Sequence, residues 1–312
     1  SMMEPGPQGG PIPPYEYGGG LVGNGKPGLK TPDNDCIVFV GDFQSLYPTI
    51  IMAYNICITT WVPYDMRSPY ILDDQGKCMI YKESKVKNPN YIYTLYESKL
   101  ETNLKKFQSE LDEILQHGHD KDRIKVLKEY ISELQECISA PYEKKGDLMC
   151  FIYNIYNEYT KQTHVHYFIK AWVKDGILPI MLWDAFTKRK DIKKRMEQAK
   201  NDGHWDLYRA LDAQQLAVKI FMNSVYGSLG TKSNKYGNFA CAETVTFIGR
   251  SSIMKVNKEV IKRSIGTVVY NDTDSAMIKV DTITQRFNRD YKKIKEYCEN
   301  KVSEISTVFR YP

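Results

Sequence analysis

Asp272 and Asp274 flank a single threonine between two short apolar runs, Thr267–Tyr270 and Ala276–Val280. That pattern predicts a tight β-hairpin with both carboxylates at its tip. Asp42 ends another apolar run, Ile37–Val40, far upstream, and no Lys or Arg stands next to any of the three. Carboxylates at strand ends repel one another unless a cation holds them together. Hard oxygen ligands suit Mg²⁺, and a pair of such ions is the usual device for in-line displacement at phosphorus. Taken alone, Asn271-Asp272-Thr273-Asp274 is an ordinary turn, because Asp caps turns and accepts unusual backbone angles. The rest of the chain has to decide between the two.

A second set of residues is cationic. On the helix expected through Lys219, the residues Lys219, Asn223 and Tyr226 (i, i+4, i+7) share a stripe about 60° wide. Leu211, Val218, Phe221 and Val225 are expected to form the buried face of that helix. Arg189 and Lys193 share a face at i, i+4 on the helix before it. Three cations from two helices are what a triphosphate needs, Arg as a fork and Lys as point charges. The plain alternative for the basic stretch 188–200 is a solvated helix surface.

These residues must be positioned by an α+β chain. Ile37–Phe43 is expected as a buried strand, and Ser45-Leu46-Tyr47-Pro48 turns it into a helix, with Pro48 suited to a first helical position. Leu100, Leu104, Phe107, Leu111 and Ile114 recur at helical spacing, as do Ile124, Leu127, Ile131, Leu134 and Ile138 beyond a polar break. They predict an antiparallel helical hairpin over 97–138. Helical segments follow over 168–203, interrupted at Gly176-Ile177-Leu178-Pro179, then helices near 206–225, 243–264 and 288–308. Residues 1–35, rich in Gly and Pro, read as irregular or extended.

Bulk composition narrows the class. The 312 residues allow one large or two ordinary domains. With 43 Lys+Arg against 38 Asp+Glu, the net charge of +5 is compatible with a nucleic-acid partner without requiring one. The seven Cys show no metal-clip spacing and are odd in number, which points to reduced thiols and an intracellular protein. No apolar run of about 18 residues is present, so no membrane helix is expected.

Four segments in order carry a resemblance. Asp42-Phe43-Gln44-Ser45-Leu46-Tyr47-Pro48 resembles the first polymerase motif, D-x-x-S-L-Y-P, of family B DNA polymerases. The stretch from Lys219 to Gly227 is similar to the second, K-x-x-x-N-S-x-Y-G, and Tyr270 to Ser275 to the third, Y-x-D-T-D-S. Tyr17-Gly18-Gly19-Gly20-Leu21-Val22 resembles the segment that joins exonuclease and polymerase regions in that family.

The resemblance implies a DNA-templated DNA polymerase core, with primer-template DNA and dNTPs as partners and two Mg²⁺ ions as cofactor. By it, Asp42 and Asp274 would be the direct metal ligands, Asp272 would support them, and the Phe43 carbonyl would contribute. Backbone amides around Ser45, Leu46 and Tyr47 would cradle the triphosphate. Arg189, Lys193, Lys219 and Asn223 would grip it, and Tyr47 would exclude a 2′-hydroxyl. Tyr226 and Gly227 would test the nascent base pair, with Tyr270 and Thr273 beside the primer terminus. Asn271 stands where the family commonly has Gly, and is expected to serve because Asn tolerates left-handed backbone angles.

The domains implied are a linker segment (1–30), a palm in two parts (31–64 and 235–312), a helical insertion (65–165) and helical fingers (166–234). Exonuclease and thumb are expected to be absent, leaving the fragment weakly active or inactive by itself. A processivity factor is a further implied partner of the full-length protein. The long insertion, with a composition rich in Lys, Asn, Ile and Tyr, resembles polymerases of large DNA viruses. Two other readings stand beside this one: a non-catalytic polymerase-like scaffold, and an interaction module acting through the 97–138 hairpin. A scaffold has no reason to keep three mutually repelling carboxylates.

Overall fold

The computed structural model describes residues 18–23, 35–62, 71–72, 78–79, 91–117, 120–231, 234 and 237–309. Tyr17, most of the expected linker 1–30 and Arg310–Pro312 lie outside them. The fold is mixed α+β, mostly helical, with small antiparallel sheets. It divides into two compact units, one of residues 54–242 together with 1–17, the other of 18–53 and 243–312.

The second unit is built on a three-stranded antiparallel sheet. Strand β1 (Cys36–Asp42) lies against β7 (Ser275–Asp281), which pairs with β6 (Thr267–Asp272), giving the order β1-β7-β6. Strand alternation sorts the side chains. Ile37 and Phe39 on β1 and Ala276, Ile278 and Val280 on β7 join an apolar cluster on one face. Helices supply its other side: Val256 and Val260 from α7 (Phe239–Lys262), Ile294, Cys298 and Ile305 from α9 (Tyr291–Ser306), and Ile283 from the short α8 (Ile283–Arg286). Asp290 caps α9 by accepting from the Lys292 and Lys293 amides, which holds its carboxyl below the usual carboxylate range. The helix α1 (Leu46–Ala53) follows β1 after a short turn at Ser45.

The first unit carries two helical pairs. Helices α2 (Tyr91–His117) and α3 (Lys121–Ser139) form the hairpin expected over 97–138. Leu100, Phe107, Leu127 and Leu134 are buried between them, and Leu104, Leu111, Ile114, Ile131 and Ile138 pack alongside. Asp120 caps α3 by accepting from the Arg123 amide. After the short α4 (Tyr142–Leu148), strands β4 (Cys150–Asn157) and β5 (Gln162–Ile169) pair antiparallel. Trp172 donates its indole N–H to Glu133, which also pairs with Lys170. The segments β2 (Ile71–Leu72) and β3 (Cys78–Met79) form a second small ladder.

Two expectations need correction. The stretch 65–165 is not helical throughout, because β4 and the first half of β5 fall inside it. Cys150–Asn157 and Gln162–Ile169 are rich in aromatic and β-branched residues, which favour a pleated surface. Asn157 closes the loop between them by accepting from the Tyr159 and Thr160 amides. The second correction concerns Gly176–Pro179, which begins a helix instead of interrupting one: α5 runs Ile177–Asn201 with Gly176 as its N-cap. Proline is tolerated in a first turn, where amides lack intrahelical acceptors.

Helix α5 ends in a Schellman motif, with Gly203 left-handed at φ 72° and His204 N–H on the Ala199 carbonyl at 2.8 Å. That turn sends α6 (Trp205–Gly230) back along α5. Cys36, Cys57, Cys137, Cys150, Cys241 and Cys298 are buried and form no disulfide, and among the described residues no helix is long and apolar enough to cross a membrane.

Leu134 is fully buried between α2 and α3. Replacing it with Ala should cost about 2–5 kcal/mol through the cavity it leaves. Chemical denaturation followed by helical circular dichroism measures this, and a loss below about 0.5 kcal/mol would show that the hairpin does not pack through this residue.

Candidate metal and phosphate sites

The acidic residues meet through strand register. Asp42 and Asp272 are both Cα partners of Ser275, one on each side of β7, and Asp274 directly precedes it. Strands about 4.8 Å apart put the two flanking Cα atoms about 10 Å from each other. Residues directly opposite share a face of a sheet, so Asp42, Ser275 and Asp272 lie on the face turned away from the apolar cluster. The Phe43 N–H on the Asp274 carbonyl (2.8 Å) extends the ladder one step beyond β1. Asp42 and Asp272 are exposed and Asp274 is half-buried.

The hairpin tip is tightly constrained. A two-residue loop, Thr273-Asp274, closes with the Asp274 N–H on the Asp272 carbonyl at 2.5 Å. Thr273 has φ 51°, a left-handed conformation that a β-branched residue rarely adopts. Its hydroxyl donates to the Asp272 carboxylate (3.1 Å) and its N–H to the Leu21 carbonyl (2.8 Å). A bulge between Val268 and Tyr270 shifts the register of β6 just before the tip.

Residues 18–23 strap this tip. Val22 bridges to Asp272, and the Gly23 N–H donates to the Asn271 carbonyl at 3.0 Å. Arg250 on α7 holds the other end of the strap, its guanidinium donating to the Gly18 carbonyl and to the Gly19 carbonyl at 2.8 Å. Tyr47 sits in the first turn of α1, half-buried, with its ring against Gly249. A Cβ built on Gly249 would lie 3.0 Å from the Tyr47 ring, and one on Gly20 would lie 3.0 Å from its hydroxyl oxygen. Ser45, at the strand-to-helix break, also has positive φ (55°). Pro48 falls at the third helical position, not the first.

The cationic residues group on α5 and α6. Arg189 is 8% exposed, and its Nε and Nη2 both donate to the Gln215 carbonyl oxygen at 3.2 Å. Burial, then repulsion from Arg189 and Lys219, holds the Lys193 ammonium below the ordinary lysine value. Lys219 and Asn223 are exposed, Tyr226 is half-buried and Gly227 is exposed. The expected buried face of α6 is partly wrong. Leu211 and Val225 are buried with Met222 and Leu229, but Phe221 is 41% exposed. The buried positions are 211, 222, 225 and 229, with half-buried Val218 on the same side, and Phe221 is rotated away from them.

The reason offered for Asn271 also changes. It does not have positive φ; the left-handed residue of the tip is Thr273. Asn271 instead points to the helix side of the sheet, 6% exposed, and pairs with Asn257 of α7. Arg250, Gly249 and Asn257 were not singled out in the sequence. A glycine inside a long apolar helix, followed by arginine, is a signal of close packing that could have found two of them.

Hard carboxylate oxygens are the ligand type that a divalent cation such as Mg²⁺ takes, and clustered cations the type that a polyphosphate takes, although the ligand atoms of Asp42, Asp272 and Asp274 do not all lie within 4.8 Å of one another. Comparison with known proteins gives this chemistry a context. A family model described as DNA polymerase family B matches residues 11–312. The DNA polymerase of Red sea bream iridovirus is 29% identical over 274 residues, covering 86% of this chain and 25% of that protein. The DNA polymerase delta catalytic subunit of Candida albicans is 33% identical over 168 residues, 50% of this chain and 15% of that protein. The DNA polymerase alpha catalytic subunit of Dictyostelium discoideum is 36% identical over 141 residues, 43% of this chain and 9% of that protein. The chain therefore spans a quarter or less of the length of each.

Gly249→Ala should overpack the Tyr47 ring. An overpacking cost of about 1–3 kcal/mol, offset by about 1 kcal/mol because Ala is the better helix former, leaves an expected net loss of up to about 2 kcal/mol. Thermal unfolding measures it, and a more stable variant would show that the ring does not rest on this glycine.

Proposed function

The chain belongs to DNA polymerase family B, and from that premise we propose that it is the catalytic core of a DNA-templated DNA polymerase, joining a dNTP to a primer 3′-hydroxyl with release of pyrophosphate. One observation carries the proposal: Asp42 and Asp272 flank Ser275 in register, with Asp274 next to it, on the open face of the sheet. A polymerase of a large DNA virus is the source class that the iridovirus relatives favour.

In this reading the sheet unit is the palm. Asp42 and Asp274 hold two Mg²⁺ ions, with the Phe43 carbonyl as a further ligand and Asp272 supporting from the far side of β7. When bound, these ions supply Lewis-acid activation of the 3′-hydroxyl and neutralise phosphate charge. The amides of Ser45, Leu46 and Tyr47, at the start of α1, receive triphosphate oxygens. The Tyr47 ring, backed by Gly249, blocks a ribose 2′-hydroxyl, and a rigid backing is what makes such steric exclusion effective. Thr273 and Tyr270 lie at the primer terminus.

The helical pair α5–α6 is the fingers element. Lys193 and Lys219 meet the triphosphate as point charges, Asn223 adds an amide, and Arg189, oriented by Gln215, contributes its fork. Burial depresses Lys193 first and repulsion from Arg189 and Lys219 second, and a bound polyanion relieves that second part. Tyr226 and Gly227 face the nascent base pair. The α2–α3 hairpin and the β4–β5 sheet belong to an insertion, and primer-template DNA is the macromolecular partner.

Asp42→Ala and Asp274→Ala, made in the full-length protein that carries this chain, should each lower single-nucleotide incorporation by about 10³-fold or more with unfolding temperature little changed. Synthesis surviving Asp274→Ala would favour the scaffold reading instead. Lys193 gives a pH test. Its lowered pKa brings the neutral form in below the ordinary lysine range, so dNTP affinity should fall as pH rises toward that range. Lys193→Met should remove that descent, and an unchanged descent would take Lys193 out of the triphosphate site.

A further inference from the structure

Asn271 and Asn257 form a reciprocal amide pair. The Asn257 side-chain amide donates to Asn271 Oδ1 at 2.9 Å, and the Asn271 amide donates back to Asn257 Oδ1 at 3.2 Å. The Asn271 amide also reaches the Ser275 carbonyl at 3.4 Å. Asn271 is buried on the helix side of the sheet, while its neighbour Asp272 points to the open face. A side chain with both donor and acceptor can close such a ring only with another amide of fixed orientation, so the pair sets direction as well as distance.

We infer that Asn257 and Asn271 are positioning residues that fix the Asp272–Asp274 turn for metal binding, which rests on the catalytic reading of those carboxylates. Three observations support it. The pair spans α7 and the residue immediately before Asp272, so any displacement of the turn breaks two hydrogen bonds at once. Its third contact, the Ser275 carbonyl, lies on the residue that registers with both Asp42 and Asp272. The turn needs such restraint, because Thr273 holds a left-handed conformation that a looser tip would release. Arg250, two turns before Asn257 on the same helix face, holds the strap that pairs with the other side of the tip. One face of α7 thus anchors both edges of the turn.

A merely structural role would leave the pair as a satisfied polar contact between sheet and helix. The two cases differ in what a substitution moves. In the full-length protein that carries this chain, Asn257→Ala and Asn271→Gly should each weaken Mn²⁺ binding, titrated by electron paramagnetic resonance, by about 10-fold, and lower kcat by a similar factor. The dNTP KM should stay within about twofold, and the double variant should be no worse than Asn271→Gly, which already removes both bonds that Asn257→Ala removes. Additive losses would overturn the inference. So would lower unfolding temperatures with Mn²⁺ affinity and kcat unchanged. Asp274→Ala in the same assays separates the inference from its premise. Synthesis that survives it defeats the catalytic reading, whereas lost synthesis with unaffected amide variants defeats only the positioning role.

Discussion

Carboxylates gathered on neighbouring strand ends repel one another, and the backbone has to hold them against that repulsion. Two unit charges about 10 Å apart in an effective dielectric of about 20 oppose each other by about 2 kcal/mol. One hydrogen bond, worth about 1 kcal/mol net, does not outweigh that. A ladder does. β1 and β7 are registered over seven residue pairs, β6 and β7 over five, and the apolar cluster beneath them fastens both to α7 and α9. The acidic end of the sheet is the place where this accumulated stability is spent.

The same constraint explains the unusual backbone at the tip. Thr273 and Ser45 both take positive φ, one at the acidic hairpin tip and the other at the strand-to-helix break after Asp42. Strain of that kind persists where surrounding contacts over-determine the geometry. Here they are the Leu21 carbonyl on Thr273, the Asn257–Asn271 amides, and the Tyr47 ring against Gly249. Arg250 extends the restraint to a glycine-rich strap whose small residues allow close approach. At Gly20 a Cβ would come within 2.8 Å of the Thr273 methyl.

The cationic element obeys the opposite rule. Arg189, Lys193 and Lys219 are brought near one another on packed helices, and burial first, then their repulsion, lowers the Lys193 pKa. Like charges held together on packed helices repel one another, and in the proposed function a bound triphosphate relieves that repulsion. The helical hairpin α2–α3 behaves differently again. Its charged faces are solvated and its stability comes from the buried leucines, so its architecture carries no trace of the chemistry elsewhere.

The chain by itself determined the residue types, their order and the periodicity of its strongest elements. Spacings of three and four announced α2 and α3, and an Asp-x-Asp between apolar runs announced the β6–β7 hairpin, since local geometry follows from local pattern. The placement of Asp42 at a strand end and of Asp272 and Asp274 at a hairpin tip was legible because each closes or opens a short apolar run. What only the tertiary structure decided was contact between distant segments. Asn271 looked like a substitute for a flexible backbone position and proved to be half of an amide pair with a helix residue. Gly249 and Arg250 looked like ordinary helix residues until Tyr47 and residues 18–23 were folded against them. The β4–β5 hairpin was missed because short apolar runs satisfy helix and strand alike, and pairing across the sheet decides between them. Sequence carries what is periodic and local. Side-chain orientation across two hundred residues depends on which faces the folded sheet and helices turn toward each other.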